Sequence, residues 1–468
     1  MSKITKIIPE PIYVKFANIC LRFEWIWIAV MILAFWHHSP PIRDNYIFLL
    51  GFIFPIIVAR YIVHGRFFTR TPLDIWFLIF IAVTIYNFYN APLSRASYLV
   101  LVCRPLLGIF MIWYFAEHVR QHGHIRYLMI ATILLGIVIG GVALVASQWD
   151  IVKKSSDFAF ILTQLPKLDH RLILPDMQLS FNSNEIAGAL AYFCSFLLAI
   201  SLRTFVIQEI ITTREERLTH WILRWGALLG FILSFSALML GQSRFALGGV
   251  FIGLLIVILL VLPNWRLRMT GFSIWVIFLI IEIMIVTQMF PLNLSSTINT
   301  KTPISEAITL NERDERTLST RFELWERALW MIRDYPTTGA GMSTYKALVM
   351  RDEYIIPYYE EKQFPPPHAH NIFFQWGADL GIAGLILFIG LYGIVGWMAI
   401  QIYRHENLNS KIMTIAITSS ILSYMGYGIG DTITLWDRFA FLHWWFIALI
   451  IGIYTVRKYH PLISTNNP

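Results

Sequence analysis

The stretch FFQWGADLGIAGLILFIGLYGIVGWMAI, residues 373–400, decides the fold class: it carries a single charged residue, Asp379, near its start. As a helix it would extend ~42 Å, more than the ~30 Å of hydrocarbon in a bilayer. Its apolar residues surround the axis instead of forming one stripe, so the run belongs in lipid and not on the surface of a soluble core. Similar runs occur near 19–36, 46–63, 73–90, 97–116, 127–147, 185–207, 221–241, 244–262 and 271–290 before it, and near 411–429 and 438–456 after it. Hydrophobic residues make up 57% of the 468-residue chain and charged residues only 14%, which excludes the ordinary soluble classes. No alternating pattern of strand length competes. The expectation is an all-α polytopic membrane protein with about twelve transmembrane helices.

Polar sequence returns in two places. Residues 148–184 form one loop and residues 291–372 a longer one, where charge reappears and apolar runs stop. The chain therefore divides into 1–290 with helices one to nine, 291–372 as a large loop domain containing short helices, and 373–468 with three further helices and a short tail. A connection of such length is more often functional than ornamental. The formal net charge of +8 could suit nucleic acid, but a membrane protein gathers Lys and Arg in its cytoplasmic loops. Placing the N-terminus in the cytoplasm puts Arg60, Arg66, Arg70, Arg120, Arg126, Arg203, Arg214, Arg217, Arg266, Arg268, Arg404, Lys411, Arg457 and Lys458 on that side. The short connections on the other side hold far fewer, chiefly Arg43, Arg95 and Arg244, and both long loops then face outward. Lys3, Lys6 and Lys15 precede a first apolar stretch with no small-residue cleavage site, which reads as an anchor. Cys20, Cys103 and Cys194 sit in or beside apolar runs and read as small buried residues. Trp25, Trp27, Trp36, Trp397, Trp436, Trp444 and Trp445 lie near span ends, as an interfacial belt requires.

Three polar stretches at the outward side are candidates for chemistry. In Gly241-Gln242-Ser243-Arg244, an arginine between two long apolar runs either faces a polar cavity or snorkels to headgroups. Ser319-Thr320-Arg321 begins a short amphipathic helix with Phe322, Trp325, Leu329 and Ile332 as its apolar stripe and Glu323–Arg327 as a surface pair. Arg321 falls in the first turn, where the helix dipole disfavours a cation; an anion such as a diphosphate would gain from both the free amides and the guanidinium. An exposed arginine of no consequence is the plain alternative. Pro365-Pro366-Pro367-His368-Ala369-His370-Asn371 stiffens the approach to the 373–400 span. At a helix N-terminus the dipole biases His370 toward the neutral form that a general base needs. An interfacial histidine pair or an H-x-H metal site are the alternatives, although that stretch offers no third ligand.

Together these residues resemble a known family. STRFELWERALWMIRDYPTTGAGMSTY (319–345) followed by HAHNIFFQWGADLGIAGL (368–385), with FNSNEIAGALA (181–191) and GQSRFALGG (241–249) upstream, looks like the shared core of O-antigen ligases and O-antigen polymerases. His370-Asn371, followed by Gly381, matches the ligase histidine motif at its first three fixed positions. Gly384 stands where many ligases have a small branched or hydroxylated residue. The resemblance implies a GT-C-like, metal-independent, inverting glycosyltransferase of the Gram-negative inner membrane, without cofactor and with its active site facing the periplasm. Its implied donor is an undecaprenyl-diphosphate-linked glycan and its implied acceptor is the lipid A core, so the product is lipopolysaccharide. Arg244 and Arg321 would hold the donor diphosphate, His370 would act at the acceptor hydroxyl, and His368 and Asn371 would support it. The implied partners are the bilayer and these two lipid-linked glycans, with no nucleic acid.

A polymerase would use the same core with a second lipid-linked glycan as acceptor, and a protein O-oligosaccharyltransferase would usually carry a longer C-terminal region. A transporter should show mid-span charges and helical repeats. Glu282 is the main such charge and reads as a buried, hydrogen-bonded carboxyl. Metal-dependent multi-span glycosyltransferases place acids in the first outward loop, where only Asp44 is found. Asp431, near the end of the eleventh run, reads equally as a sugar or base partner and as a helix-end residue, and stays outside the core site.

Overall fold

The computed structural model describes residues 11–26, 29–30, 46–93, 96–147, 182–206, 213–241, 243–286, 320–356, 366, 368–435 and 437–459. Lys3, Lys6, Trp27, Trp36, Arg43, Asp44, Arg95, 148–181, Gln242, 287–319 with Ser319, Pro365, Pro367, Trp436 and the side chains of Cys103 and Glu282 lie outside them.

The described elements are helical: α1 (Ile12–Arg22), α2 (Tyr46–His64), α3 (Asp74–Asn90), α4 (Ala96–His122), α5 (Arg126–Ala146), α6 (Ser183–Val206), α7 (Arg214–Gly241), α8 (Arg244–Val261), α9 (Trp265–Val286), α10 (320–334), α11 (Ile372–His405), α12 (Leu408–Tyr427) and α13 (Ala440–Tyr459), with a single helical turn at Tyr345–Leu348 between α10 and α11. No β-strand occurs among the described residues. Six helices are long and apolar enough to cross a bilayer: α5, 184–204 of α6, α7, α8, α11 and α13. The chain is thus a multi-pass helical membrane protein by its described residues, with six such helices where the sequence pattern suggested about twelve.

α12 shows one reason for the difference. It is 20 residues long, but Ser410, Thr414, Thr418, Ser419, Ser420 and Ser423 dilute its hydropathy. It lies at the centre, packed on α6 and α8. Four of its hydroxyls return to its own backbone, as in Ser420 Oγ to Ala416 O at 2.8 Å and Ser423 Oγ to Ser419 O at 2.9 Å. Ser423 also meets Ser195 of α6 at 2.8 Å. Small residues let helices approach closely where lipid offers no hydrophobic drive between them.

Contacts tie the helix ends into two groups. At one end Arg66 pairs with Glu117, Arg126 with Glu215, Arg203 with Asn409 and Arg457 with Glu406. At the other, Arg438 pairs with Glu185, and Asn87 bonds Asp379 and Met342.

At this second end α11 is broken. Gly381 has φ 67°, ψ −157°, a conformation that glycine adopts without steric cost. The segment after α10 docks into the break: Ile382 N donates to Pro336 O at 2.8 Å, and Ala340 N to Ala378 O at 2.6 Å. The same break brings the Trp376 carbonyl against Gly384, where an added Cβ would sit 2.3 Å away. The missing side chain at that motif position therefore has a packing reason in this chain.

α10 lies over this end with Leu324, Ala328 and Met331 buried against Tyr345, Leu348, Tyr354 and Ile356, a small core of its own. The apolar stripe expected from the sequence is rotated: Phe322 and Leu329 are exposed. A helix beside a membrane can be apolar on more than its core face, so periodicity alone misplaced the buried side. Arg327 likewise meets Glu326 and the Trp330 ring, not Glu323.

Candidate active site

The second end gathers the three polar stretches. Asn371 is the N-cap of α11, its Oδ1 accepting from the amides of Phe373 and Phe374 at 2.9 and 3.1 Å. Its Nδ2 donates to Ile429 O at 2.9 Å, and the Ile372 amide donates to Gly428 O at 2.7 Å. These two bonds fix the start of α11 against the end of α12. His370 and Asp431 consequently face each other, Nδ1 to Oδ1 at 3.0 Å. The Thr432 amide donates to the same oxygen at 2.9 Å, and Asp431 is 4% exposed.

His370 adopts φ 50°, a left-handed value uncommon outside glycine, so its turn is held from outside. Trp325 of α10 donates from Nε1 to the His370 carbonyl at 3.2 Å. The His370 amide donates to His368 Nδ1 at 3.2 Å, and the His368 Nε2 lies 3.9 Å from Asp431 Oδ1. Burial first, and then the charge of His370, push the His368 imidazole down to about 3, so it is neutral at physiological pH. Burial alone would raise Asp431. The charge and hydrogen bond of His370, with His368 and Arg321 behind them, outweigh it and hold the carboxyl well below its usual range.

Arg321 sits in the first turn of α10, its Cζ 4.9 Å from the centre of the Phe245 ring. That ring packs directly on Gly430, where an added Cβ would lie 2.2 Å from it. Phe245 thus joins Arg321 to the Gly430–Asp431 corner. Arg244 precedes Phe245 as the first residue of α8 and is exposed. His368, His370, Asn371 and Arg321 are thereby gathered, with Arg244 next to Phe245 at the edge.

Asp431 is the residue that sequence reasoning left out. Its available signal was position: a carboxylate just beyond a helix end, on the side where the other candidates lie. The dipole argument for His370 considered its own helix only and omitted a full carboxylate charge 3.0 Å away. Chemically, a histidine that gives its Nδ1 side to a carboxylate has Nε2 for exchange of a proton with substrate. The carboxylate fixes the tautomer and steadies the imidazolium that forms. His368, His370 and Asp431 also offer ligand atoms within 4.8 Å of one another, enough to hold a metal ion. The third ligand missing from the H-x-H stretch is thus supplied from 61 residues away. In the arrangement present, however, His370 Nδ1 and Asp431 Oδ1 are engaged with each other.

The architecture is that of a multi-pass membrane protein with a histidine–aspartate pair and an arginine at one end of its helices. Residues 229–389, which include α8, α10 and the histidine turn, match the family described as O-antigen ligase. A Rickettsia conorii protein named "Putative polysaccharide ligase" is 34% identical over 112 residues. That match takes in 23% of this chain and 26% of the relative, so the chain spans about a quarter of the length of the relative it matches. The segment 229–389 is thus similar to the O-antigen ligase family, the resemblance its motifs suggested. Asp431 lies beyond that segment.

Proposed function

We propose that this chain is a glycosyltransferase that moves a glycan from undecaprenyl diphosphate to the lipid A core, an O-antigen ligase of the Gram-negative inner membrane acting on the periplasmic side. The observation that carries the reading is the meeting of Arg321, His370 and Asp431 at one helix-bundle end, opposite the end rich in paired arginines. The positive-inside rule makes the arginine-rich end cytoplasmic, which turns the candidate site outward.

In this reading the acceptor hydroxyl oxygen attacks the anomeric carbon, and the carbon–oxygen bond to the diphosphate breaks with its electron pair leaving on phosphate. The hydroxyl proton passes to His370 Nε2 while Asp431 steadies the resulting imidazolium. A single displacement inverts the anomeric configuration. Arg321 and Arg244 stabilise the negative charge that grows on the leaving diphosphate, the role for which positioned guanidinium groups are suited. His368, neutral beside the pair, and Asn371, the cap, keep the turn in place. With the arginines for the leaving group and the histidine for the proton, the transfer needs no metal.

The test is a reconstituted transfer assay with purified protein and lipid-linked donor, offering lipid A core in one tube and further donor in another, each with and without chelator. Glycan joined to lipid A core in chelator is the expected result. Extension of the lipid-linked chain itself would make the protein a polymerase, and loss of transfer in chelator, restored by a divalent ion, would replace the proposed mechanism with one through the His368–His370–Asp431 trio. Arg321→Ala and Arg244→Ala should weaken donor binding, whereas His370→Ala should abolish turnover with donor binding retained.

A further inference from the structure

The histidine turn is supported from beneath by Gln375 and Asp379 of α11. The Ala369 amide lies between the two histidines, buried, and precedes the Asn371 cap, so it has no partner within α11. It donates to Gln375 Oε1 at 2.7 Å. Gln375, 2% exposed, donates in turn from Nε2 to Asp379 Oδ2 at 2.8 Å. A glutamine amide has a donor end and an acceptor end of almost equal shape, so the Ala369 amide alone would have to select between two orientations. A carboxyl group, ionised or not, offers an oxygen that accepts, and Oδ2 of Asp379 takes that place. Asp379, one helical turn further on, therefore requires Nε2 on its side and leaves Oε1 for Ala369.

Asp379 itself is held at the break in α11. Its carbonyl accepts from Asn87 Nδ2 at 2.8 Å and from the Gly341 amide at 3.2 Å. An acidic side chain this deep, 3% exposed in an apolar helix, is costly enough to require a purpose. Asp379 and the buried Thr432 line one small cavity with Gln375 and Trp376. Thr432 is the residue whose amide holds Asp431. The carboxylate of Asp379 thus borders the supports of both members of the His370–Asp431 pair.

We propose that Gln375 and Asp379 are positioning residues: the chain of bonds from Asp379 through Gln375 to the Ala369 amide holds the His368–His370 turn so that His370 faces Asp431. This deepens the proposed function and rests on its reading of His370 as the group that takes the acceptor proton.

Four proteins in lipid nanodiscs decide it: wild type, Gln375→Leu, Asp379→Leu and Asp379→Asn. Two measurements are made, hydrogen exchange at the Ala369 amide by mass spectrometry and steady-state transfer from the lipid-linked donor to lipid A core. Both leucine variants should speed exchange at Ala369 and lower kcat by about 10- to 100-fold, the scale of an ångström of misplacement, with the donor KM within about threefold. Asp379→Asn keeps an acceptor for Gln375 Nε2 and should stay within about threefold of wild type in both measurements, a rescue that a general loss of fold would not give. Unchanged exchange at Ala369 in Gln375→Leu would overturn the proposal, as would an Asp379→Asn protein as slow as Asp379→Leu, since charge and not acceptance would then be what matters. If wild type transfers nothing to lipid A core, the proposed function fails on its own, and exchange at Ala369 still decides whether these residues hold the turn.

Discussion

Replacing Asp431 by Asn removes a charge and little else. Oδ1 of Asp431 accepts from both His370 Nδ1, at 3.0 Å, and the Thr432 amide, at 2.9 Å. Two donors converging on one atom require that an asparagine present its oxygen there, so the histidine keeps its orientation and its tautomer. At 3.0 Å, opposite unit charges attract by about 5 to 6 kcal/mol at an effective dielectric constant near 20, an upper bound that ignores desolvation. The net worth of the charge is closer to the gap between a charge-assisted and a neutral hydrogen bond, about 1 to 2 kcal/mol. That amount is lost only as the imidazolium forms, so it appears in kcat as a fall of about 5- to 30-fold. Asp431→Ala should cost more, about 100-fold or beyond, because the Thr432 amide and the imidazole N–H would both lose their acceptor. Because the carboxyl is held well below its usual range, the wild-type charge is present throughout any practical assay range. Single-turnover transfer with saturating donor isolates the step. If both variants transfer within about twofold of wild type, Asp431 is a helix-end residue and the pair has no part in catalysis.

Three other outcomes follow from the same geometry. His368 has a folded value near 3 against about 6.5 when exposed, so the unfolded chain binds more protons between those limits; stability therefore rises with pH there, and falls on acidification from about 6.5 toward 3. His368→Gln should flatten that part of the thermal-midpoint profile, and an unchanged slope would assign the acid sensitivity elsewhere. Asn87→Ala removes the side chain that bonds Thr338 O, Asp379 O and the Met342 amide, and should loosen residues 336–345 by about 2 to 4 kcal/mol, read as faster hydrogen exchange confined to that segment. Gly381→Ala places a Cβ 2.4 Å from Pro336 O at φ 67° and should lower the thermal midpoint, whereas Gly393→Ala, with open space around it, should not; equal midpoints would show that the break in α11 is not fixed by Gly381.

The membrane class was legible in the sequence because spanning runs are long and a bilayer tolerates few alternatives. The 372–405 helix follows from the apolar run at 373–400, whereas Asn371, read from the sequence as a supporting site residue, proves to be its cap. The break at Gly381 did not, because a lone glycine in an apolar helix signals nothing until Pro336, Ala340 and Gly341 are known to dock there. The buried face of α10 was misread for a related reason: where lipid and protein both favour apolar residues, Phe322 and Leu329 look like core although Leu324, Ala328 and Met331 fill it. His370 and Arg321 stood out as polar groups at helix starts, where the dipole disfavours a positive charge. Asp431 stood in such a place too, but its meaning required a partner 61 positions away.

The four contributors to the site come from elements that would not find each other by local propensity: α8, α10, the turn before α11 and the corner after α12. Three contacts join them without using the four candidate side chains. Phe245 packs on Gly430, Trp325 holds the His370 carbonyl, and Asn371 with Ile372 bonds to the Gly428–Ile429 backbone. Binding of an anion to Arg321 would therefore act on α10, and through Trp325 on the histidine turn, before any bond to carbon changes. In the proposed mechanism donor binding and base placement are linked through this contact, and the left-handed His370 is held by a bond from outside its own turn. The functional consequence is order: Trp325→Phe, which keeps the ring but deletes the donor to His370 O, should leave donor affinity near wild type and slow the chemical step. A Trp325→Phe protein weakened in donor binding alone would separate the two halves of the site and remove that coupling.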